Sequence, residues 1–198
     1  MTRIFMTIMN KTTLPTIIAN NYLVIAKVML GVAALFAGSQ IVIPIQPVPI
    51  SMQTVVICII AVTYSPRLSF ATVLAYITIG VAGVPIFAKL SSGLHVLFGA
   101  AGGYLIGFLI ATPVMSILNS KFSERFTGTY SRHLSIFCTC LIGHLIIYFL
   151  GVSWLATFMG IKQAIYSGFI IFIPSGLVKM LIFSSLYYYY IRGRKNTL

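Results

Sequence analysis

One lysine sits where a charge is hard to keep. Lys179 lies in the middle of the apolar run Ile170–Tyr190, and an ammonium at bilayer depth costs about 2.5–3.5 kcal/mol on insertion scales unless it finds a partner or a polar cavity. The usual partner is missing, because the sequence holds one acidic residue, Glu124, and no aspartate. Unless Lys179 is neutral, snorkels to an interface or leans on carbonyl oxygens, it awaits an anion from outside. A second cation, Lys89, stands in a Gly/Ser-rich stretch with Pro85, Phe87, Ser91, Ser92, Gly93 and His95. Lys89 at a mouth and Lys179 deeper would form a positive track for an anionic solute, although a purely topological Lys89 reads equally well.

Other chemistry is excluded more firmly. Carboxylate hydrolysis, an Asp/Glu proton relay and a magnesium site all need acids that the apolar segments lack. No phosphate-binding Gly-x-x-x-x-Gly-Lys-Ser/Thr loop and no His-Glu-x-x-His motif is present, so ATP-driven transport would require another subunit. Cys138 and Cys140, two apart on a helix, point to different faces, and with Cys58 they read as buried thiols rather than as a metal site or disulfide. No metal or cofactor is expected. His144 reads as a hydrogen-bonded core residue, and Trp154 as an interfacial anchor.

These residues need an apolar frame. At 198 residues, 59% hydrophobic and 7% charged, with mean hydropathy +1.04, the chain lies far outside soluble domains. It reads as a single all-α integral-membrane domain over 1–198. The net charge of +12 is scattered singly among apolar spans, which argues against nucleic acid and for a topological role in the lipid bilayer. Six membrane-spanning helices are expected, at Ile17–Gln40, Ile50–Tyr64, Leu68–Val84, Phe98–Leu118, His133–Phe158 and Ala164–Ile191. A cytoplasmic N-terminus puts Arg3, Lys11, Arg67, Lys121, Arg125, Arg132, Arg192, Arg194 and Lys195 inside, and leaves Lys89 and Lys162 in outer loops. Both termini are then cytoplasmic by the positive-inside rule, with Tyr187–Tyr190 as an aromatic belt. Met1–Asn21 has no short apolar core ending in a cleavage site, and no cleaved signal is expected.

Three local patterns add to this frame. Ala33/Ala37 and Ala34/Gly38 repeat small residues at four-residue spacing, a face that admits another helix from this chain or from a partner. Pro44, Pro47 and Pro49 stiffen an apolar loop over Gln40–Gln53 that reads as a lid or as interfacial packing. Gly99, Gly103 and Gly107 make a smooth strip if helical, and Gly102 beside Gly103 permits a local break, which membrane depth tolerates only against protein or a cavity.

Pro47-Val-Pro-Ile-Ser-Met-Gln-Thr54, Ser65-Pro-Arg-Leu68, Gly83-Val-Pro-Ile-Phe-Ala88 and Gly102-Gly-Tyr-Leu-Ile-Gly-Phe108 follow one another in an order and spacing that resembles the BioY family. These are the biotin-binding S components of energy-coupling factor (ECF) vitamin transporters. With Pro174–Lys179 the resemblance covers roughly Lys27 to Tyr190. It implies a non-enzymatic, multi-pass subunit of the bacterial inner membrane that binds biotin from outside and works with a membrane T component and two ATPase subunits. It also implies that Ala33 and Ala37 dock on the T component. On the same basis Gln53, Ser175 and Lys179 are candidates for polar contacts, and Phe87 and Tyr104 for walls. Lys89 is a candidate for the carboxylate, while Gly99, Gly102 and Gly103 would allow close backbone approach.

Two motifs depart from the family pattern. Pro174-Ser175-Gly176-Leu177-Val178-Lys179 stands for Pro-Gly-Asp-x-x-Lys, and Gly99-Ala-Ala-Gly-Gly-Tyr104 for Gly-Pro-Thr-Gly-Gly-Tyr. Gly176 offers no carboxylate, so Ser175 or freed carbonyls near Pro174 would have to accept hydrogen bonds instead. The readings left open are an S component for another small vitamin, a stand-alone facilitator, and an intramembrane enzyme, which the missing acids disfavour.

Overall fold

The computed structural model describes residues 2–125 and 128–195, and within them the side chains of 2–20, 129, 130, 188 and 190–195 are outside the description. The side chains of the expected inner cations Arg3, Lys11, Arg192, Arg194 and Lys195, and of two tyrosines of the belt, thus lie outside the description.

The first helix, α1 (Thr2–Gln40), is longer than its apolar segment. A two-stranded hairpin follows, β1 (Val42–Ile43) antiparallel to β2 (Ile50–Ser51), with Val42 opposite Ser51 and Ile43 opposite Ile50. Helices α2 (Gln53–Thr63) and α3 (Pro66–Val81) come next, the latter opened by Pro66 at its first position, where a missing N–H is harmless. A short helix α4 (Leu94–Phe98) precedes the long antiparallel pair α5 (Gly102–Arg125) and α6 (Thr129–Met159). Another short helix, α7 (Ile161–Ile165), a π-helical turn over Tyr166–Ile170 and α8 (Phe172–Lys195) complete the chain.

Among the described residues, four helical stretches are long and apolar enough to cross a membrane: Asn21–Gln40, Gly102–Arg125, Ser131–Met159 and Ile161–Tyr187; α2 and α3 are apolar but shorter. With the apolar composition, this makes the chain a multi-pass membrane protein. Several boundaries differ from the expected segments: α3 ends at Val81 rather than Val84, and the sixth segment is interrupted by the π-helical turn before α8. Ile50 and Ser51 belong to the hairpin because Ser51 pairs with Val42, and Phe98 ends α4, since the backbone breaks between Gly99 and Gly102.

Lipid-facing positions are apolar and exposed. Tyr22, Leu23, Ile25, Leu30, Phe149, Leu181 and Leu186 all present large side chains outward, as a bilayer solvent permits. The interior combines an apolar cluster, including Leu35, Ile57, Tyr76, Met115 and Ile147, with buried Thr72, Thr112 and Thr139, whose hydroxyls donate to the carbonyls of residues four before them. The Cys58 and Cys140 thiols meet inside, so the contact runs between α2 and α6. All three cysteines are free.

The small residues of α1 divide by register. Gly38 is buried against Val56 and the Gln53 backbone of α2, whereas Ala33 and Ala37 are exposed. One register thus serves internal packing and the other is left outside.

Candidate functional site

A cavity of roughly 480 Å³ lies between the hairpin loop, the 84–91 loop and the facing ends of α2, α3, α5, α6 and α8. That falls within the size of small-molecule sites, which are mostly apolar with few placed polar groups. Its cover is Ile45–Ser51, and Ala88, Lys89 and Ser91 form another part of the rim. The proline-rich loop is folded over the bundle, with Val48 and Ile50 buried.

The wall on the α2–α3 side is a hydrogen-bonded chain. The Ser51 hydroxyl donates to Gln53 Oε1 at 3.1 Å, Gln53 Nε2 donates to the Tyr76 hydroxyl at 2.8 Å, and that hydroxyl donates to the Ile86 carbonyl at 2.9 Å. Ser39 on α1 donates to the same carbonyl at 2.9 Å. Phe87, next in sequence, packs edge-on against Tyr76 with ring centroids 5.4 Å apart. Gln40 clamps the loop from α1: its Nε2 donates to the Phe87 carbonyl at 3.1 Å and its Oε1 accepts from the Leu90 N–H at 3.2 Å. Satisfied chains of this kind fix side-chain orientation before a ligand arrives. Lys89 and Leu90 are held at φ 58° and 56°, a left-handed conformation that costs a non-glycine residue about 1–3 kcal/mol and clusters at ligand-handling loops.

On the α8 side, Lys179 resolves its burial problem through the backbone. Its Nζ donates to the Ser51 carbonyl at 2.7 Å, so the lysine ties α8 to β2. An ammonium has three donors, and this bond uses one. Ser175 lies one turn earlier on the same face, with its hydroxyl donating to the Phe172 carbonyl at 3.0 Å. Tyr104 of α5 stacks on Phe172 at 5.8 Å and donates to the Gly168 carbonyl at 2.9 Å. That carbonyl belongs to the π-helical turn, whose altered register frees backbone groups beside the cavity.

Gln53, Phe87, Lys89, Tyr104, Ser175 and Lys179, all singled out in the sequence, line this one cavity. Gly99, Gly102 and Gly103 do not line it. A Cβ on Gly103 would run into Trp154 and the Leu150 carbonyl, so this glycine lets α5 and α6 approach, while the Gly99 carbonyl accepts from Trp154 Nε1 at 3.0 Å. The sequence reading missed Tyr76, Ile147, Tyr148 and Phe172, which also line the cavity. They sit inside apolar helical runs, where no spacing separates a cavity wall from ordinary core. Among the described residues no cluster of His, Cys, Asp or Glu could hold a metal ion.

The BioY family model matches residues 9–196. The chain is 56% identical over 171 residues to the "Probable biotin transporter BioY" of Rickettsia prowazekii, covering 86% of this chain and 84% of that protein. It is 35% identical over 155 residues to a "Probable biotin transporter BioY" of Pyrococcus horikoshii, covering 78% and 88%. Its fold matches the crystal structure of "the S-component for biotin from an ECF-type ABC transporter" with a TM-score of 0.74 at 20% identity, over 89% of this chain and 93% of that one.

Proposed function

The chain belongs to the BioY family, and from that premise we propose that it is the substrate-capture S component of an ECF-type vitamin importer and that its ligand is biotin. The observation that carries the reading is the one cavity lined by Gln53, Phe87, Lys89, Tyr104, Ser175 and Lys179. Biotin combines an apolar bicycle and chain with a neutral ureido head and a carboxylate, which suits an apolar cavity with few polar groups and a cation at its rim. Lys179 and Ser175 serve the deep polar end, and Lys89 the carboxylate at the mouth.

In this reading α1, α2, α3, α5, α6 and the α7–α8 unit are six spans, α2 and α3 being the short ones, and both termini are cytoplasmic. Basic residues on the corresponding loops, Arg67, Lys121, Arg125 and Arg132, support that orientation, as does a cavity covered by the two loops on the opposite side. The chain carries no ATP-binding motif of its own, so the energy for uptake comes from a T component and two ATPase subunits. Exposed Ala33 and Ala37 are the close-approach face for the T component. The location is the bacterial inner membrane.

Equilibrium binding of labelled biotin to the purified protein in detergent tests the ligand. Wild type should bind, and Lys179→Ala should bind about 10- to 100-fold more weakly, the range for a hydrogen bond from a charged group. A stable wild-type protein that ignores biotin would exclude biotin as the ligand.

A further inference from the structure

The polar groups of the cavity are mostly committed within the protein. Tyr104 donates to Gly168, Tyr76 to Ile86, and the Gln53 carboxamide is engaged at both ends. Two hydroxyls at the α6–α8 side are arranged differently. Ser175 and Tyr148 both donate to the carbonyl of Phe172, at 3.0 and 3.4 Å. A hydroxyl has one hydrogen, so each of these oxygens is left with lone pairs to offer. The Tyr148 bond is also long against the ~2.7–2.8 Å usual for O–H···O contacts, so it holds that hydroxyl only loosely.

Tyr148 fits there because residue 176 is glycine. A Cβ at Gly176 would lie 2.5 Å from the Tyr148 hydroxyl oxygen, too close for any side chain without moving the tyrosine. The ring is held edge-on by Phe169 at 5.7 Å, Phe172 at 6.2 Å and His144 at 5.8 Å, so packing sets its position independently of its hydroxyl. No acid competes for the role of acceptor. The sequence has no aspartate, and Glu124 is exposed near the end of α5.

We infer that Tyr148, with Gly176 opposite it, is a specificity-determining residue whose hydroxyl oxygen pairs with that of Ser175 to accept the two N–H donors of a neutral cyclic urea. Lys179, one turn beyond Gly176 on α8, has donors to spare for the urea carbonyl. Head-group recognition then runs on two neutral oxygens and one ammonium, with no carboxylate. The inference rests on the biotin reading and adds to it the group that reads the ureido nitrogens.

The test is calorimetric binding of biotin, and of biotin methylated at both ureido nitrogens, to wild type, Tyr148→Phe, Gly176→Ala and the double variant. Tyr148→Phe should weaken biotin about five- to ten-fold and leave the already weak binding of the methylated analogue unchanged. Gly176→Ala reads the same contact without altering the tyrosine. It should weaken biotin on its own and add nothing in the Tyr148→Phe background, where the crowding oxygen is gone. Biotin bound equally by wild type and Tyr148→Phe would overturn this inference alone, as would an equal loss for both ligands. A wild type that binds no biotin would overturn the biotin reading with it.

Discussion

Tyr76 shows how much one hydroxyl can organise. It accepts from Gln53 and donates to the Ile86 carbonyl, joining α2, α3 and the 84–91 loop at a point with no exposure to solvent. Tyr76→Phe keeps the ring against Phe87 but strands the Gln53 N–H and withdraws a donor from Ile86. Stranding a buried polar group costs about 1–3 kcal/mol, so the melting temperature in detergent should fall by several degrees. An unchanged melting temperature would show that the chain of bonds is not needed for stability. Lys179 teaches a related lesson. Its burial is compatible with a cation because the Ser51 carbonyl takes one donor at 2.7 Å, so the lysine is both a structural tie and a ligand candidate, and Lys179→Ala should loosen the hairpin as well as weaken binding.

Helix α1 carries two faces that the sequence wrote as one stripe of small residues. Gly38 packs on Val56 and the Gln53 backbone, and Gly31 on Thr72, while Ala33 and Ala37 look outward. Enlarging the two faces should have opposite consequences. Ala37→Leu should leave biotin affinity within about two-fold, because surface changes away from the fold's contacts usually stay within ±0.5 kcal/mol, yet abolish co-purification with the T component and ATPases. Gly38→Leu should instead lower the melting temperature, since it forces a side chain into α2. If Ala37→Leu still assembles and transports, the exposed register is not the docking face. The end of the same helix bears Ser39 and Gln40, which hold Ile86, Phe87 and Leu90. The proposed docking helix is therefore bonded directly to a loop that rims the cavity.

For the whole molecule the question is whether capture and passage are separate. The cavity is reached beneath two loops, and the interior beyond it is a closed apolar cluster with Leu35, Ile57, Met115 and Ile147. The protein reconstituted alone into liposomes should bind biotin without net flux down a gradient, and flux should appear only with its T component and ATPases. Flux by the lone chain would identify a facilitator and overturn the division of labour proposed here.

Much of this was legible from composition and order. A 59% hydrophobic chain with one acid and long continuous apolar runs reads as membrane-spanning helices, because lipid admits only internally bonded backbone and a barrel strand would alternate instead. Lys89 and Lys179 stood out as cations in or beside apolar runs, while Gln53, Phe87, Tyr104 and Ser175 were reached only through the motifs that resemble the BioY family. The tertiary structure decided the rest. Tyr148 sits four residues from His144 in a largely apolar stretch of α6, and its role exists only because Gly176, on another helix, leaves room for its hydroxyl. Gly103 was open in the sequence to a neighbouring helix or a ligand, and in the fold it meets Trp154 of α6. Helical period tells which residues share a face, but which neighbour that face meets depends on contacts between residues far apart in the chain, and local sequence does not encode those distances.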